Sequence, residues 1–358
     1  MRQRANNYYA LQQILLGDEG ISAIKKARVL MIGVGGLGCP AAMHLTTTGV
    51  GRLTLLDPDV VETSNLHRQT LYRPGDEGLP KVSLAARRLQ EINPDVEIVP
   101  LQAALNPDNA ERLIPEHDLV LDGSDNFATK FLCADACARL GKTLVYAAVF
   151  RFQGQLAVFD DQIHYRDLFP HVPDSEMVPD CSDGGTVGAF VALIGTMQAA
   201  EAIKIISGVG ENLRGKLFVF DTLTFRSFKL TIVPNPENPL RSGRPISPSD
   251  YEHRCANIAT LAPETLAQWN LQGRDYFLLD VRTSLEATQK NYGGTLIPID
   301  ELDSRIGEIP RNRTVVVHCQ TGVRSRKAAA RLALYGFSDV YALTGTPVES
   351  VAEIRNER

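Results

Sequence analysis

Concentrated positive charge is missing from this sequence: 37 Lys and Arg are outnumbered by 42 Asp and Glu, and the basic residues nowhere form a block. Without such a block the electrostatic term that draws a protein to phosphate backbones is lost, so nucleic acid is not an expected partner. The opening MRQRANNYYALQQ has no apolar h-region, and the greasiest later run, AFVALIGTM from Ala189, is soon broken by Gln198, Glu201 and Lys204. Neither an export signal nor a membrane span is expected, and a cytoplasmic protein is. Cysteine is scarce as well, six in 358 residues with no C-x-x-C pair. That count excludes a disulfide framework and fits a reducing compartment.

What is present is an ordinary globular mixture, 44% hydrophobic and 22% charged, in a chain long enough for two cores. Short apolar runs alternate with helical patterns. Arg28 to Ile32 reads as a strand, Leu37 to Thr48 as a helix and Leu53 to Leu56 as the next strand. A helix near Lys81 to Ile92, a strand near Val96 to Val99, a strand Leu119 to Leu121, a helix Asn126 to Leu140 and a strand Leu144 to Ala148 follow. Such alternation predicts a Rossmann-like, mainly parallel sheet in an α/β domain. Gln155 to Phe159, Lys216 to Phe220 and Ser227 to Val233, around a long apolar helix from Val187 to Ile206, predict an antiparallel extension. Five prolines between Pro234 and Pro248 mark a linker, placed at 234–258. Beyond it, strands Phe277 to Val281 and Thr314 to Val317 and a helix Arg326 to Tyr335 predict a second, smaller α/β domain over 259–358.

Gly33-Val34-Gly35-Gly36-Leu37-Gly38 matches G-x-G-x-x-G between a strand and a helix. Gly35 and Gly36 there let a phosphate approach backbone amides at a positive helix end. Asp57 ends the second strand, where an acidic residue meets a ribose hydroxyl. Both features suit an NAD enzyme as well as an ATP enzyme. Ser64-Asn65-Leu66-His67-Arg68-Gln69, then Lys81, then Asp122-Gly123-Ser124-Asp125-Asn126 tip the balance to ATP. Arg68 and Lys81 can neutralise phosphates as charge shifts to departing pyrophosphate, and Asp125 can hold magnesium.

From about Tyr9 to Val233 the chain resembles the ThiF/MoeB/HesA family of bacterial relatives of ubiquitin-activating enzymes, through GVGGLG, LLDPD, SNLHRQ, the Lys81 helix, DGSDN and GTMQAAEAIK. The resemblance implies a dimeric adenylating enzyme in which Asp57 binds the ribose of ATP. It further implies phosphate contacts from Asn65, Arg68, Gln69 and Lys81, and Mg2+ on Asp125. The substrate would be a small ubiquitin-like sulfur-carrier protein whose Gly-Gly tail reaches the α-phosphate. The sequence departs from the family at three places. Gln12-Gln13 stands where the family commonly has Arg-Gln, and Lys130 where it often has Arg. His164-Tyr165-Arg166-Asp167 and Pro236-Glu237-Asn238-Pro239 replace the two Cys-x-x-Cys pairs that hold a structural zinc in many relatives, so no zinc is expected.

Cys39, Cys133 and Cys137 lie in apolar helical patterns and read as core, whereas Cys181 and Cys319 sit in polar, Gly-rich surroundings. Cys181, just before the long apolar helix, resembles the cysteine that in several family members accepts an acyl group or a persulfide sulfur. His318-Cys319-Gln320-Thr321-Gly322-Val323-Arg324-Ser325 resembles the rhodanese active loop, with Asp280-Val281-Arg282 as that family's strand end. Asn291-Tyr292-Gly293-Gly294 and Thr344-Gly345-Thr346-Pro347 depart from the usual rhodanese pattern. The two resemblances together imply adenylation of a carrier's terminal glycine, then sulfur transfer from a persulfide on Cys319, loaded by an upstream persulfide donor, with Arg324 in the loop and Cys181 serving the release step. Two other readings stay open from the residues alone: an NAD(P)-dependent oxidoreductase, and a non-catalytic binder of a ubiquitin-like protein.

Overall fold

The computed structural model describes residues 8–172, 185–241, 259–337 and 339–347. They fall into two compact units, the first reaching Arg241 and the second beginning at Ala259 within the described residues.

The first unit is built on eight strands: β1 Arg28–Ile32, β2 Arg52–Leu56, β3 Glu97–Leu101, β4 Leu119–Asp122, β5 Thr143–Phe150, β6 Gln153–Phe159, β7 Lys216–Asp221 and β8 Arg226–Thr231. Their order is β3-β2-β1-β4-β5-β6-β7-β8. The first five pair in parallel and the last three join antiparallel, as the change of pattern after β5 predicts. β1 and β4 are near-continuous apolar runs because helices cover both of their faces. From β1 the chain runs outward to β2 and β3, then crosses back to β4 on the other side. The order therefore reverses between β1 and β4, which opens a crevice beyond their carboxyl ends.

Two helices of this unit, Ala10–Lys26 and Pro107–Leu113, escape the pattern reading. The first is interrupted by Gly17 at φ 70° and leaves Leu11, Ile14 and Leu15 exposed, so only the half after Gly17, through Ile21 and Ile24, marks a buried face. The second is a single short stretch started by an Asn106 capping box and Pro107. β3 starts one residue later than expected, because buried Val96 belongs to the approach to the strand.

By length and composition the helix Gly188–Ser207 is apolar enough to cross a membrane. Here it packs on the helices Ala10–Lys26 and Gly38–Thr48 and on β5 and β6. Its polar residues point inward: Gln198 Nε2 donates to the carbonyls of Asp122 (2.8 Å) and Val145 (2.9 Å), and Glu201 accepts from the Leu213 amide. A Cβ at Gly195 would stand 2.3 Å from the Leu37 carbonyl oxygen, so glycine there sets the depth at which the helix seats against the Gly loop.

Residues 235–241, in the Pro-rich stretch, are bonded back to the loop after β6. The buried Asp167 carboxylate accepts from Asn238 Nδ2 (2.8 Å), the Asn235 amide (3.0 Å), the His164 amide (2.8 Å) and Arg241 Nε and Nη2 (both 2.7 Å). His164 Nδ1 lies 3.3 Å from Asn238 Nδ2, and Arg166 forks onto Asp135. The segments 164–167 and 236–239 thus meet in space, and a carboxylate–guanidinium clasp joins them.

The second unit holds β9 Ala259–Leu261, β10 Phe277–Asp280, β11 Thr295–Leu296, β12 Val315–His318 and β13 Val340–Leu343, all parallel, in the order β11-β10-β12-β13-β9. The short strands at both edges carry too few residues to show a period. The helix expected at Arg326 to Tyr335 begins instead at Val323, behind Gly322 at φ 84°. Arg324 and Ser325 therefore stand on its first turn.

Two stability outcomes follow. Gly195→Ala should cost the first unit about 1–3 kcal/mol through backbone overpacking, read as a lower denaturant midpoint at unchanged slope. Burial would raise the Asp167 pKa, but its bonds to Arg241, Asn238 and backbone amides hold it well below the usual value. A depressed acid stabilises the fold above its unfolded pKa and loses that contribution as pH falls through the folded value. Asp167→Asn should therefore lower stability by about 1–3 kcal/mol at neutral pH. Denaturation as a function of pH should show that gap constant above about pH 4 and closing well below it.

Candidate active site

The crevice of the first unit starts at the turn after β1. Gly33 has φ 84°, and a Cβ on it would lie 2.9 Å from the Gly123 carbonyl group. One on Gly38 would lie 2.0 Å from the Gly33 oxygen, and one on Gly36 would lie 2.8 Å from Val191. Gly36 is thus a packing requirement beneath the long helix. Gly35, whose Cβ would meet only Gln69 Nε2 at 3.5 Å, is the position of the turn that faces the crevice with room to spare.

Asp57 at the end of β2 is buried, and burial pushes its pKa up. Its Oδ2 accepts from the Val34 amide at 2.7 Å and its Oδ1 from the Asp59 amide at 2.9 Å. The carboxylate first fixes the Gly turn, and its remaining lone pairs are left for hydroxyl donors. Lys81 opens the helix Lys81–Ile92 with its side chain only 5% exposed, and its Nζ lies 2.8 Å from Asp59 Oδ2. Asp59, 61% exposed, is a site residue that the sequence reading passed over inside LLDPD. Its signal is the D-x-D spacing at a strand end.

The segment from Ser64 to Gln69 forms one bonded group. Asn65 Oδ1 accepts from Arg68 Nη2 (2.8 Å) and Gln69 Nε2 (3.3 Å), and Arg68 Nη1 donates to the Ser64 carbonyl (3.1 Å). A Cβ on Gly36 would sit 3.6 Å from Arg68 Cγ, which puts this group against the Gly turn. Gln69 is buried and its Oε1 has no hydrogen-bond partner among the described residues. An orphaned acceptor at this depth is a place for a donor from a bound molecule or water.

Asp125 is exposed on the loop after β4, just before the helix Phe127–Arg139, whose first turn Asn126 caps through the Thr129 amide. Beneath the loop lies a fully buried anchor missing from the sequence reading, Asp122. Lys130 Nζ donates to Asp122 Oδ2 (3.0 Å) and to the Ala147 carbonyl (2.9 Å), while Asp122 Oδ1 accepts from the amide (2.9 Å) and hydroxyl (2.6 Å) of Ser124. Lys130 is therefore committed to shaping the Asp125 loop. Of the twin glutamines in the first helix, Gln12 donates to the Thr47 carbonyl at 3.2 Å.

Magnesium fits this crevice by donor chemistry: an exposed carboxylate beside a phosphate-facing glycine turn matches an ion held by one or two carboxylates plus substrate phosphates. Among the described residues no cluster of three or more His, Cys, Asp or Glu stands ready for a metal by itself.

In the second unit Cys319 follows β12 and is completely buried, not in the polar setting its neighbours in sequence suggest. Its Sγ accepts from the amides of Gly322 (3.2 Å) and Ser325 (3.3 Å). Those amides come from the αL residue and the first helical turn, so the start of the helix Val323–Leu334 is wrapped round the sulfur. Gly322 has no room for a Cβ, which would meet the Thr344 oxygen at 2.9 Å. The irregular segments have packing roles: Tyr292 covers the Arg282 guanidinium at 4.7 Å, and the Thr344 amide bonds the Leu261 carbonyl. Arg282 forks onto Asp280 behind the loop, and Arg324 forks onto Glu286 at its rim. The three cysteines read as core are buried, and burial drives the Cys39 thiol up to about 12. Cys181 lies outside the described residues.

Residues 8–240 match the ThiF family and residues 263–346 the rhodanese-like domain. The probable adenylyltransferase/sulfurtransferase MoeZ of Mycobacterium tuberculosis is 38% identical, over 92% of this chain and 88% of its own length. The sulfur carrier protein adenylyltransferase of Thermus thermophilus is 42% identical over 69% of this chain and 95% of its own. The adenylyltransferase and sulfurtransferase MOCS3 of Anopheles gambiae is 37% identical over 90% of this chain and 80% of its own. Among solved structures, Escherichia coli MccB with ATP superposes with a TM-score of 0.58 at 20% identity, over 64% of this chain and 72% of that one, a likeness of fold. With the Gly turn, the SNLHRQ group and the Asp125 loop gathered on one crevice, and the Cys319 loop wrapped by its own helix start, the chain belongs to the ThiF family and carries a rhodanese-like domain behind the ThiF region.

Proposed function

We propose that this chain is an adenylyltransferase and sulfurtransferase that activates the C-terminal glycine of a small ubiquitin-like sulfur-carrier protein and converts it to a thiocarboxylate. The observation that carries the reading is the single crevice in which cations (Arg68, Lys81), an orphaned acceptor (Gln69 Oε1) and an exposed carboxylate (Asp125) surround a glycine turn. A nicotinamide enzyme has no need of two cations and a carboxylate there, and a pure binder has no need of Cys319 held by two amides.

In this reading the carrier's carboxylate oxygen attacks the α-phosphorus of ATP, pyrophosphate leaves, and an acyl-adenylate remains. Asp57 holds the ribose, Gly35 admits the phosphates, and Asn65, Arg68, Gln69 and Lys81 take up the charge that moves onto pyrophosphate. Asp125 would hold Mg2+, which supplies Lewis-acid neutralisation of the phosphates. A persulfide on Cys319, loaded by an upstream protein persulfide, then attacks the acyl carbon and displaces AMP, giving an acyl disulfide. A second thiolate, for which Cys181 is the candidate, attacks Cys319 Sγ. The carrier thiocarboxylate leaves with the electron pair, and the protein disulfide is returned to thiols by an external dithiol. A Pro-rich tether keeps the persulfide at high local concentration near the adenylate. The exposed Leu11, Ile14 and Leu15 on the first helix supply an apolar stripe for a homodimer.

ATP–pyrophosphate exchange should depend on a carrier ending in Gly-Gly. Lys81→Ala should slow it by about 10²-fold or more, as expected for loss of a preorganised charge. Cys319→Ala should leave exchange within about threefold of the parent while abolishing the gain of one sulfur for one oxygen in the carrier's mass. Tight nicotinamide binding with no exchange under any carrier would overturn the reading.

A further inference from the structure

The rim of the Cys319 loop carries a feature that the transfer chemistry does not itself require. Arg324 does not offer its guanidinium to the loop's opening. Its Nη1 donates to Glu286 Oε2 at 2.7 Å and its Nη2 to Oε1 at 2.6 Å, a bidentate fork with both terminal nitrogens engaged. Glu286 is itself held by three further bonds. Its Oε2 accepts from the Thr283 amide (2.9 Å) and hydroxyl (2.8 Å), as the third residue of a capping box, and its carbonyl accepts from Arg282 Nη1 (3.3 Å). Arg324 first, and the Thr283 amide and hydroxyl after it, outweigh burial and hold the Glu286 pKa down at about 2, so the pair stays ionised at any physiological pH. Arg282, the other guanidinium behind the loop, is buried and spent on Asp280.

The consequence is that Glu286 neutralises Arg324 and leaves it no free fork, although a second cation, Arg326, folds back onto the Gly322 carbonyl of the same loop (3.4 Å). A small dianionic sulfur donor such as thiosulfate needs a positive charge beside Sγ to offset its own. Here it would have to break a charge-assisted bidentate pair and then lie against the Glu286 carboxylate. A persulfide on a protein or small thiol hands over one sulfane sulfur and needs only the Cys319 Sγ and the two amides that cradle it. We propose that Glu286 is a specificity-determining residue of this loop, one that occupies Arg324 and so excludes dianionic sulfur donors in favour of persulfides. The proposal rests on the reading of Cys319 as the sulfur carrier.

Thiocyanate formation from thiosulfate and cyanide by the full chain tests it. In that assay the Cys319 thiolate attacks the outer sulfur of thiosulfate and sulfite leaves with the electron pair. Cyanide then takes the terminal sulfur and restores the thiolate. Glu286→Gln keeps a good residue at the third capping position while removing the charge. It should lower the KM for thiosulfate by about tenfold or more with kcat changed by less than about threefold, the signature of a binding effect. Glu286→Asp, which keeps the charge, should retain the high KM, and adding Arg324→Met to Glu286→Gln should cancel the gain. A residue that merely supported the fold would lower kcat and thermal stability in both single variants and leave the KM unimproved. If mass spectrometry finds sulfur on Cys319 but the KM does not respond to the charge at 286, this proposal alone falls. If no variant carries sulfur on Cys319, the sulfur-carrier reading falls and takes this proposal with it.

Discussion

The buried ion pair between Asp122 and Lys130 is the fixed point of the nucleotide crevice. Breaking such a pair by removing one partner costs about 3–5 kcal/mol, although keeping it adds little over a well-packed apolar pair. Its value here lies in geometry. Every acceptor of Asp122 is used: Lys130 and Ser124 take the carboxylate, and Gln198 takes the backbone carbonyl. Because Lys130 also holds Ala147 and Gln198 also holds Val145, the carboxyl end of β4 is locked to the middle of β5 at the point where the Asp125 loop departs. The loop cannot tilt without exposing a buried charge, and Asp125 inherits that rigidity.

The same logic runs through the rest of the crevice, where the groups assigned to ATP first bond to each other. Asp57 pins the Gly turn, Asp59 pins Lys81, and Asn65 gathers Arg68 and Gln69. Preorganised charges do not have to be reoriented when charge develops in a reaction, which is where most electrostatic catalysis comes from. The arrangement has a cost in free cation strength: Lys81 meets a phosphate only in competition with Asp59. Asp59 lies mostly in water while the Lys81 side chain is buried, so any anion that replaces Asp59 must itself neutralise a buried cation.

The parallel sheet, its antiparallel extension and the second α/β unit were legible because buried parallel strands are apolar runs and the crossover helices have a clear period. The glycines, Asp57, Asp125 and Cys319 stood out as candidates because each follows an apolar strand, and Arg68 and Lys81 because they are cations on the connection after β2. What escaped was second to these residues. Asp59 and Gln198 are polar side chains whose partners are charges or backbone groups far away in sequence, up to 76 residues for Gln198 and the Asp122 carbonyl, and Asp122 meets its nearer partners Ser124 and Lys130 only inside the core. No local period encodes such a partnership. The burial of Cys319 escaped for a related reason: polar neighbours in sequence point outward on a helix start, while the sulfur between them turns into the core.

That burial also bears on how sulfur could leave the second unit. A sulfur atom fully enclosed by its own loop cannot be reached by a bulky electrophile while the loop keeps this form, yet a persulfide extends one sulfur atom farther from Cβ than the thiol does. The Sγ cradle of Gly322 and Ser325 amides would then hold the inner sulfur, leaving the outer one at the rim beside the Arg324–Glu286 fork. Loading by a protein persulfide therefore needs the loop to open far enough for Sγ to meet the donor's outer sulfur, after which the added sulfur carries the nucleophile outward.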